Sequence, residues 1–112
     1  MPATQSRTYS RYSRDAAALM GKMVRLYRKD RKLTMQDLAD RAGISRITLQ
    51  KIEKGDMRCA IGLVFEVAVL AGMKLFETDA VSIHSLEEKA ENRIALLPKS
   101  VRLSRRQVED DF

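Results

Sequence analysis

Residues 33–55 read LTMQDLADRAGISRITLQKIEKG. Thr34 is placed to cap a helix: its hydroxyl can accept from the amide of Asp37, and Asp37 can return the bond or complement the helix dipole. Leu38 and Ala39 fall on the inward face of that helix, and Gly43 supplies the left-handed residue that ends it. Ser45 caps a second helix, which Gly55 closes. A short turn containing glycine between two short helices, here RAGIS, is the helix-turn-helix pattern. The second helix segregates its side chains. At about 100° per residue, Arg46, Ile47, Gln50, Lys51 and Lys54 fall within one arc of about 140°. Thr48, Leu49, Ile52 and Glu53 fill the rest. Leu49 and Ile52, with Ile44, anchor this helix from below, and small Ala39 lets the pair cross closely. The basic, amide-bearing face is left free to enter a DNA major groove.

Toward the N-terminus, residues 1–12 are rich in Ser, Thr, Arg and Gln without an apolar period, and read as a flexible arm. Tyr9 and Tyr12 alternate there with Arg7, Arg11 and Arg14, a pattern that suits base stacking or a backbone clamp, or carries incidental aromatics. A helix is expected from an N-cap at Ser13 to about Arg31, with Leu19, Met20, Met23, Val24 and Tyr27 as its buried stripe.

Toward the C-terminus, AIGLVFEVAVLAG at 60–72 is apolar nearly all round. Ile61, Val64, Phe65 and Ala68 make one stripe, and Leu63, Val67 and Leu70 another. A small domain has one core to face, so the second stripe implies a partner surface or a wholly buried helix. Dimerisation is the simplest source, since paired helix-turn-helix units read palindromic half-sites. Leu63, Val67, Leu70, Met73, Leu75 and Phe76 are the expected dimer residues. MKLFETD at 73–79 fits either a fifth helix or a strand. SLEEKAENRIALL follows, with a capping box at Ser85 and Glu88, and Pro98 ends it. The expected organisation is an arm (1–12), a mainly α, four- to five-helix domain (13–79), and an extension (80–112) of one short helix and a disordered tail.

Composition sets the class of partner. The 112 residues carry 21 Lys and Arg against 15 Asp and Glu, a net charge of +6 and a pI near 9.8, which favours an anionic partner. The charge is uneven. Residues 22–32 (KMVRLYRKDRK) hold six basic residues and one acidic, whereas residues 59–98 hold three basic and six acidic. Basic runs flanking a recognition-like helix point to nucleic acid. One cysteine, Cys59, rules out an intramolecular disulfide framework and fits a reducing cytoplasm. Neither Cys59 nor His84 has ligand partners in spacing, so no metal site is expected. No nucleophile triad, nucleotide loop or paired carboxylates appear, so neither catalysis nor a cofactor is expected. No stretch approaches a bilayer span, and the first residues lack a secretory apolar core.

The segment from residue 19 to 72 resembles the XRE group, the Cro and lambda-repressor-like DNA-binding proteins. The resemblance rests on Leu33-Thr34, Leu38-Ala39, Gly43-Ile44-Ser45 and Ile52-Glu53 ahead of Gly55. It implies a lambda-repressor-like fold and an ion pair between Glu53 and Arg28. It implies base reading by Arg46, Ile47, Gln50 and Lys51, with Thr34, Gln36, Ser45, Thr48, Lys54 and Arg58 near the DNA backbone. Chemically, Arg46 or Lys51 can bond guanine, Gln50 can pair with adenine, and Ile47 can touch a thymine methyl. Met35 departs from the Gln many members carry; it cannot donate, so that phosphate contact is expected to be lost or moved to Gln36. AGMKLFETD further resembles the strand of HipB-type antitoxins, which pair such strands across a dimer and bind a HipA-type kinase toxin.

The resulting expectation is a cytoplasmic bacterial repressor, nucleoid-associated when bound to a palindromic operator, and the antitoxin of a toxin–antitoxin pair. A solitary repressor is the first rival and a protein-interaction module that binds no DNA is the second. The tail cations Lys99, Arg102, Arg105 and Arg106 are candidates for phosphate contacts, or the tail folds on a protein partner. Deleting residues 99–112 is expected to flatten the salt dependence of DNA binding; an unchanged slope rules out the phosphate role.

Overall fold

The structure, a computed structural model, describes residues 7–100. The first six residues of the expected arm and the tail residues Arg102, Arg105 and Arg106, with the acidic end beyond them, lie outside the described residues. Among the described residues five helices follow one another: α1 (Arg11–Asp30), α2 (Met35–Ala42), α3 (Arg46–Glu53), α4 (Ile61–Leu70) and α5 (Ala80–Ala95). A single 3₁₀ turn, Leu75–Glu77, separates α4 from α5. The protein is mainly α, as the pattern required, and among the described residues there is no strand.

Local chemistry explains most boundaries. The Thr34 hydroxyl accepts from the Asp37 amide at 3.0 Å, and the Asp37 carboxylate accepts from the Thr34 amide at 2.9 Å, a complete capping box. These bonds hold the Asp37 carboxyl below the usual carboxylate range. Gly43 takes φ 69, the left-handed cap of α2, and the Ser45 hydroxyl accepts from the Thr48 amide at 3.1 Å to open α3. Two expected starts move. The first helix begins at Arg11, because Ser10 rather than Ser13 is the cap and accepts from the Ser13 amide at 3.2 Å. The last begins at Ala80, because Asp79 accepts from the Ser82 amide at 2.7 Å; Ser85 and Glu88 therefore sit inside the helix.

The chain divides between Glu77 and Thr78 into two units. In the first, α1 packs on α3 and α4, and α2 on α3 and α4. The core is Val24, Leu38, Ala39, Leu49, Ile52, Val67, Ala68 and Ala71. Two expectations change here. Leu19, assigned to the buried stripe of α1, is 60% exposed, while Gly21 takes the inward position. Val67, assigned to a dimer surface, is fully buried in the protomer's own core. Because α4 faces α1 and α2 together, its inward face joins residues from both apolar stripes. Ile61 and Val69 remain exposed instead.

MKLFETD supplies neither a strand nor a fifth regular helix. Phe76 and Glu77 adopt φ 54 and φ 56, left-handed values that break both extended and helical progression. The strand expected to pair across a dimer is thus replaced by a 3₁₀ turn. The Phe76 ring meets Phe65 edge-on, with centroids 6.2 Å apart. In the second unit, α5 keeps Val81, Leu86 and Ile94 exposed.

The closest helix approach lies at Gly21. A Cβ there would stand 2.5 Å from the Glu53 carbonyl oxygen and 2.6 Å from that of Ile52. These are backbone atoms, which cannot swing aside. Overpacking of this kind costs about 1–3 kcal/mol, against a helix-propensity gain of about 1 kcal/mol. Gly21→Ala is therefore expected to lower stability by up to about 2 kcal/mol in thermal or urea unfolding; a stabilised variant would show that α1 and α3 are not in backbone contact.

Candidate nucleic-acid interface

α3 is eight residues long, too short to hold its own geometry in water. Its position is imposed from two sides. Leu49 and Ile52 are sunk in the core, and Glu53 at its last turn meets Arg28 of α1. Arg28 Nε donates to Glu53 Oε2 at 2.7 Å and Nη2 donates to Oε1 at 3.1 Å, while Nη1 donates to the Leu33 carbonyl at 3.0 Å. Both side chains are more than nine-tenths buried. This is the ion pair the family resemblance implied, and it joins α1, the α1–α2 turn and α3 in one bonded unit. Gly55, at φ 79, then turns the chain against Ala17 and Ala18.

With its inner side held, α3 presents the other. Arg46, Gln50, Lys51 and Lys54 are exposed, and Ile47 is 65% exposed, a high value for isoleucine. The face read from the periodicity is therefore one continuous surface. Ser45 is exposed and Thr48 half-buried, and the Ser45 hydroxyl donates to the Thr48 hydroxyl at 3.0 Å. Thr34 and Gln36 are exposed at the start of α2. The Gln36 amide donates to Asp40 at 2.7 Å along its own helix, and Met35 packs against the core. Arg58 is committed locally. Its backbone amide and Nε donate to Asp56 Oδ1 at 2.8 and 3.2 Å, and Nη2 to Oδ2 at 3.1 Å. Those bonds hold the Asp56 carboxyl below its usual range.

Beside α3 runs a groove lined by Arg25, Arg28, Met35, Gln50, Glu53 and Lys54. Arg25 was not among the residues read as functional. The available signal was its place three residues before Arg28, which sets both on neighbouring faces of α1. At the other end of α3, Cys59 is half-buried near Lys51, Arg58 and Leu63, and burial pushes its thiol up. Among the described residues no group of three or more His, Cys, Asp or Glu is placed to hold a metal, and no helix is long and apolar enough to cross a membrane.

Of the residues expected at a dimer surface, Leu63, Leu70, Met73 and Leu75 are half-buried and pack on the core. Phe76 is 72% exposed. With Met23, Tyr27, Gly72, Met73, Lys74 and Glu77 it borders a second, largely apolar groove.

Two helices joined by a glycine turn, the first capped and seated on the core through Leu38 and Ala39, the second offering a basic outer face, define a helix-turn-helix domain. The helix-turn-helix family model matches residues 24–74. An uncharacterised HTH-type transcriptional regulator of Methanocaldococcus jannaschii is 38% identical over 56 residues, which cover half of this chain and 85% of that protein. The chain belongs to the XRE-type helix-turn-helix family. No solved structure matches the chain.

The buried pair makes a specific prediction. Removing one partner of such a pair strands the other charge and costs about 3–5 kcal/mol, whereas replacing both by apolar side chains is often near neutral. Glu53→Leu and Arg28→Met alone are each expected to destabilise strongly in urea unfolding. The double replacement Arg28→Met with Glu53→Leu should recover most of the loss. Additive losses would show that the two side chains are not coupled.

Proposed function

We propose that the protein is a transcriptional repressor that binds a palindromic double-stranded operator as a homodimer. The observation that carries this reading is the outer face of α3, where Arg46, Ile47, Gln50, Lys51 and Lys54 share one exposed surface on a helix locked from behind. A helix so held can enter the major groove as a rigid body. Arg46 and Lys51 supply donors for guanine O6 and N7, Gln50 a bidentate partner for adenine, and Ile47 an apolar contact for a thymine methyl. Thr34, Gln36, Ser45, Thr48 and Lys54 flank that face and serve the phosphate backbone, with Arg58 joining them if Asp56 releases it. The name of the archaeal relative, an HTH-type transcriptional regulator, supports the regulatory role. Repression follows from occupancy: a dimer filling two successive major grooves excludes polymerase from the promoter. The protein then acts in the cytoplasm, on the nucleoid.

Dimerisation is assigned to the α4 and turn surface, through Leu63, Leu70, Met73, Leu75 and the exposed Phe76. Val67 takes no part. The finer role is that of an antitoxin whose partner is a HipA-type kinase toxin. Support for it is the apolar groove bordered by Met23, Tyr27, Met73 and Phe76, a surface its own unit leaves uncovered. A solitary repressor would use α3 identically and lack the toxin. Recovery of the full chain from its own cytoplasm after nuclease treatment, with a stoichiometric kinase-like protein, distinguishes the two.

The DNA-binding claim is tested by Arg46→Ala with Lys51→Ala on duplexes from the region upstream of its own gene. Each lost base contact costs about 1–3 kcal/mol of discrimination, so affinity for that region should fall toward that for mixed-sequence DNA. Unchanged affinity would remove the major-groove reading and leave a protein-interaction module.

A further inference from the structure

The groove beside α3 has a charge balance that the recognition face does not explain. At its base Arg28 and Glu53 neutralise each other through two bonds, and the remaining Arg28 donor goes to the Leu33 carbonyl. Met35 lines the groove with a side chain that cannot donate. The net charge therefore comes from Arg25 and Lys54. Both are exposed, and neither is in an ion pair among the described residues. Gln50 adds an amide that carries no other bond among the described residues.

Two uncompensated cations from different helices, facing one groove over a neutral base, suit a small anion with several acceptor oxygens. We propose that this groove binds one phosphate of the DNA backbone, gripped by Arg25 of α1 and Lys54 at the end of α3. This rests on the reading of α3 as the helix that enters the major groove. The site differs in kind from the base-reading residues. A phosphate contact carries no sequence information but fixes register and orientation on the duplex. Arg25 stands on α1, and α1 is tied to α3 by the buried pair at the groove's base. A phosphate held here therefore fixes the depth and tilt at which Arg46, Gln50 and Lys51 meet the bases. Met35, which lines the same groove, has no donor to offer such a phosphate, so the grip falls to the two cations and Gln50.

The test uses the full chain and two labelled duplexes, one from its own upstream region and one of mixed sequence. Binding is followed by fluorescence anisotropy across about 50–200 mM salt, where each lost phosphate contact shallows the log–log slope by about 0.9. Arg25→Ala is expected to lose about 0.9 per bound protomer, about 1.8 for the dimer, and to weaken both duplexes alike, by about twelve-fold more at the low-salt end than at the high-salt end. Arg25→Lys keeps the charge and should retain most of the slope. Lys89→Ala, which removes one cation from α5, controls for net charge. The inference is overturned if Arg25→Ala leaves the slope at the wild-type value, or shifts it no more than Lys89→Ala does. It is also overturned if the loss is confined to the upstream duplex, which would make Arg25 a base reader. Wild-type protein that binds neither duplex would overturn the α3 reading itself; wild-type binding with an unaltered Arg25→Ala slope removes the phosphate groove alone.

Discussion

The Arg28–Glu53 pair is the constraint on which the placement of α3 depends. Two parallel bonds at 2.7 and 3.1 Å and a third to the Leu33 carbonyl fix the last turn of α3 against α1 and the α1–α2 turn. Taking both charges out of water consumes most of what their attraction returns, so the pair is a weak source of net stability. Its value is geometric. The planar guanidinium and the carboxylate meet in one orientation, whereas apolar contacts alone would let a two-turn helix roll. The glycines serve the same contact: at residue 21 nothing larger than hydrogen fits between α1 and the α3 carbonyls.

With α3 held in this way, presentation of its outer face needs no further moving part. The exposed face is basic, amide-bearing and lightly apolar, and it projects from a helix whose two ends are capped and whose inner face is sunk in the core. Base-edge recognition demands such rigidity, because a bidentate contact tolerates little rotation of the helix that carries it. The locally neutralised Arg58 and the intrahelical bond of Gln36 show that not every polar residue near the face is equally free. Charge on the surface is only partly available charge.

The region after α4 follows a different logic. Phe76 and Glu77 occupy left-handed backbone positions, each costing on the order of 1–3 kcal/mol for a residue other than glycine. The edge-on contact of Phe76 with Phe65 returns about 0.5–1.5 kcal/mol. The remainder is carried by the packing of Met73 and Leu75 on the core. The outcome is an aromatic ring presented to solvent at the end of the domain, beside the apolar groove of Met23 and Tyr27. An exposed surface of this character is where a second chain gains most by docking.

Local chemistry alone determined the helix-turn-helix: Thr34 with Asp37, Gly43, Ser45 and the 3.6-residue period from Arg46 to Lys54 act within a few residues of themselves, so their consequences are legible in order along the chain. The Arg28–Glu53 pair was legible through resemblance to the XRE group, since nothing in periodicity links residues 25 apart. Tertiary structure decided what depends on which neighbour arrives. Leu19, expected in the buried stripe, is left outside and Gly21 faces inward because α1 must approach the α3 backbone, and only a residue without a side chain permits that approach. Val67 went inward because α4 faces two helices, a fact its uniform apolarity could not express. MKLFETD at 73–79 is centred on a turn at Leu75–Glu77 because seven weakly patterned residues have no period strong enough to resist the packing of their flanks. Arg25 entered the groove beside α3 only when folding brought α1 and the end of α3 together, and no local pattern encodes that meeting.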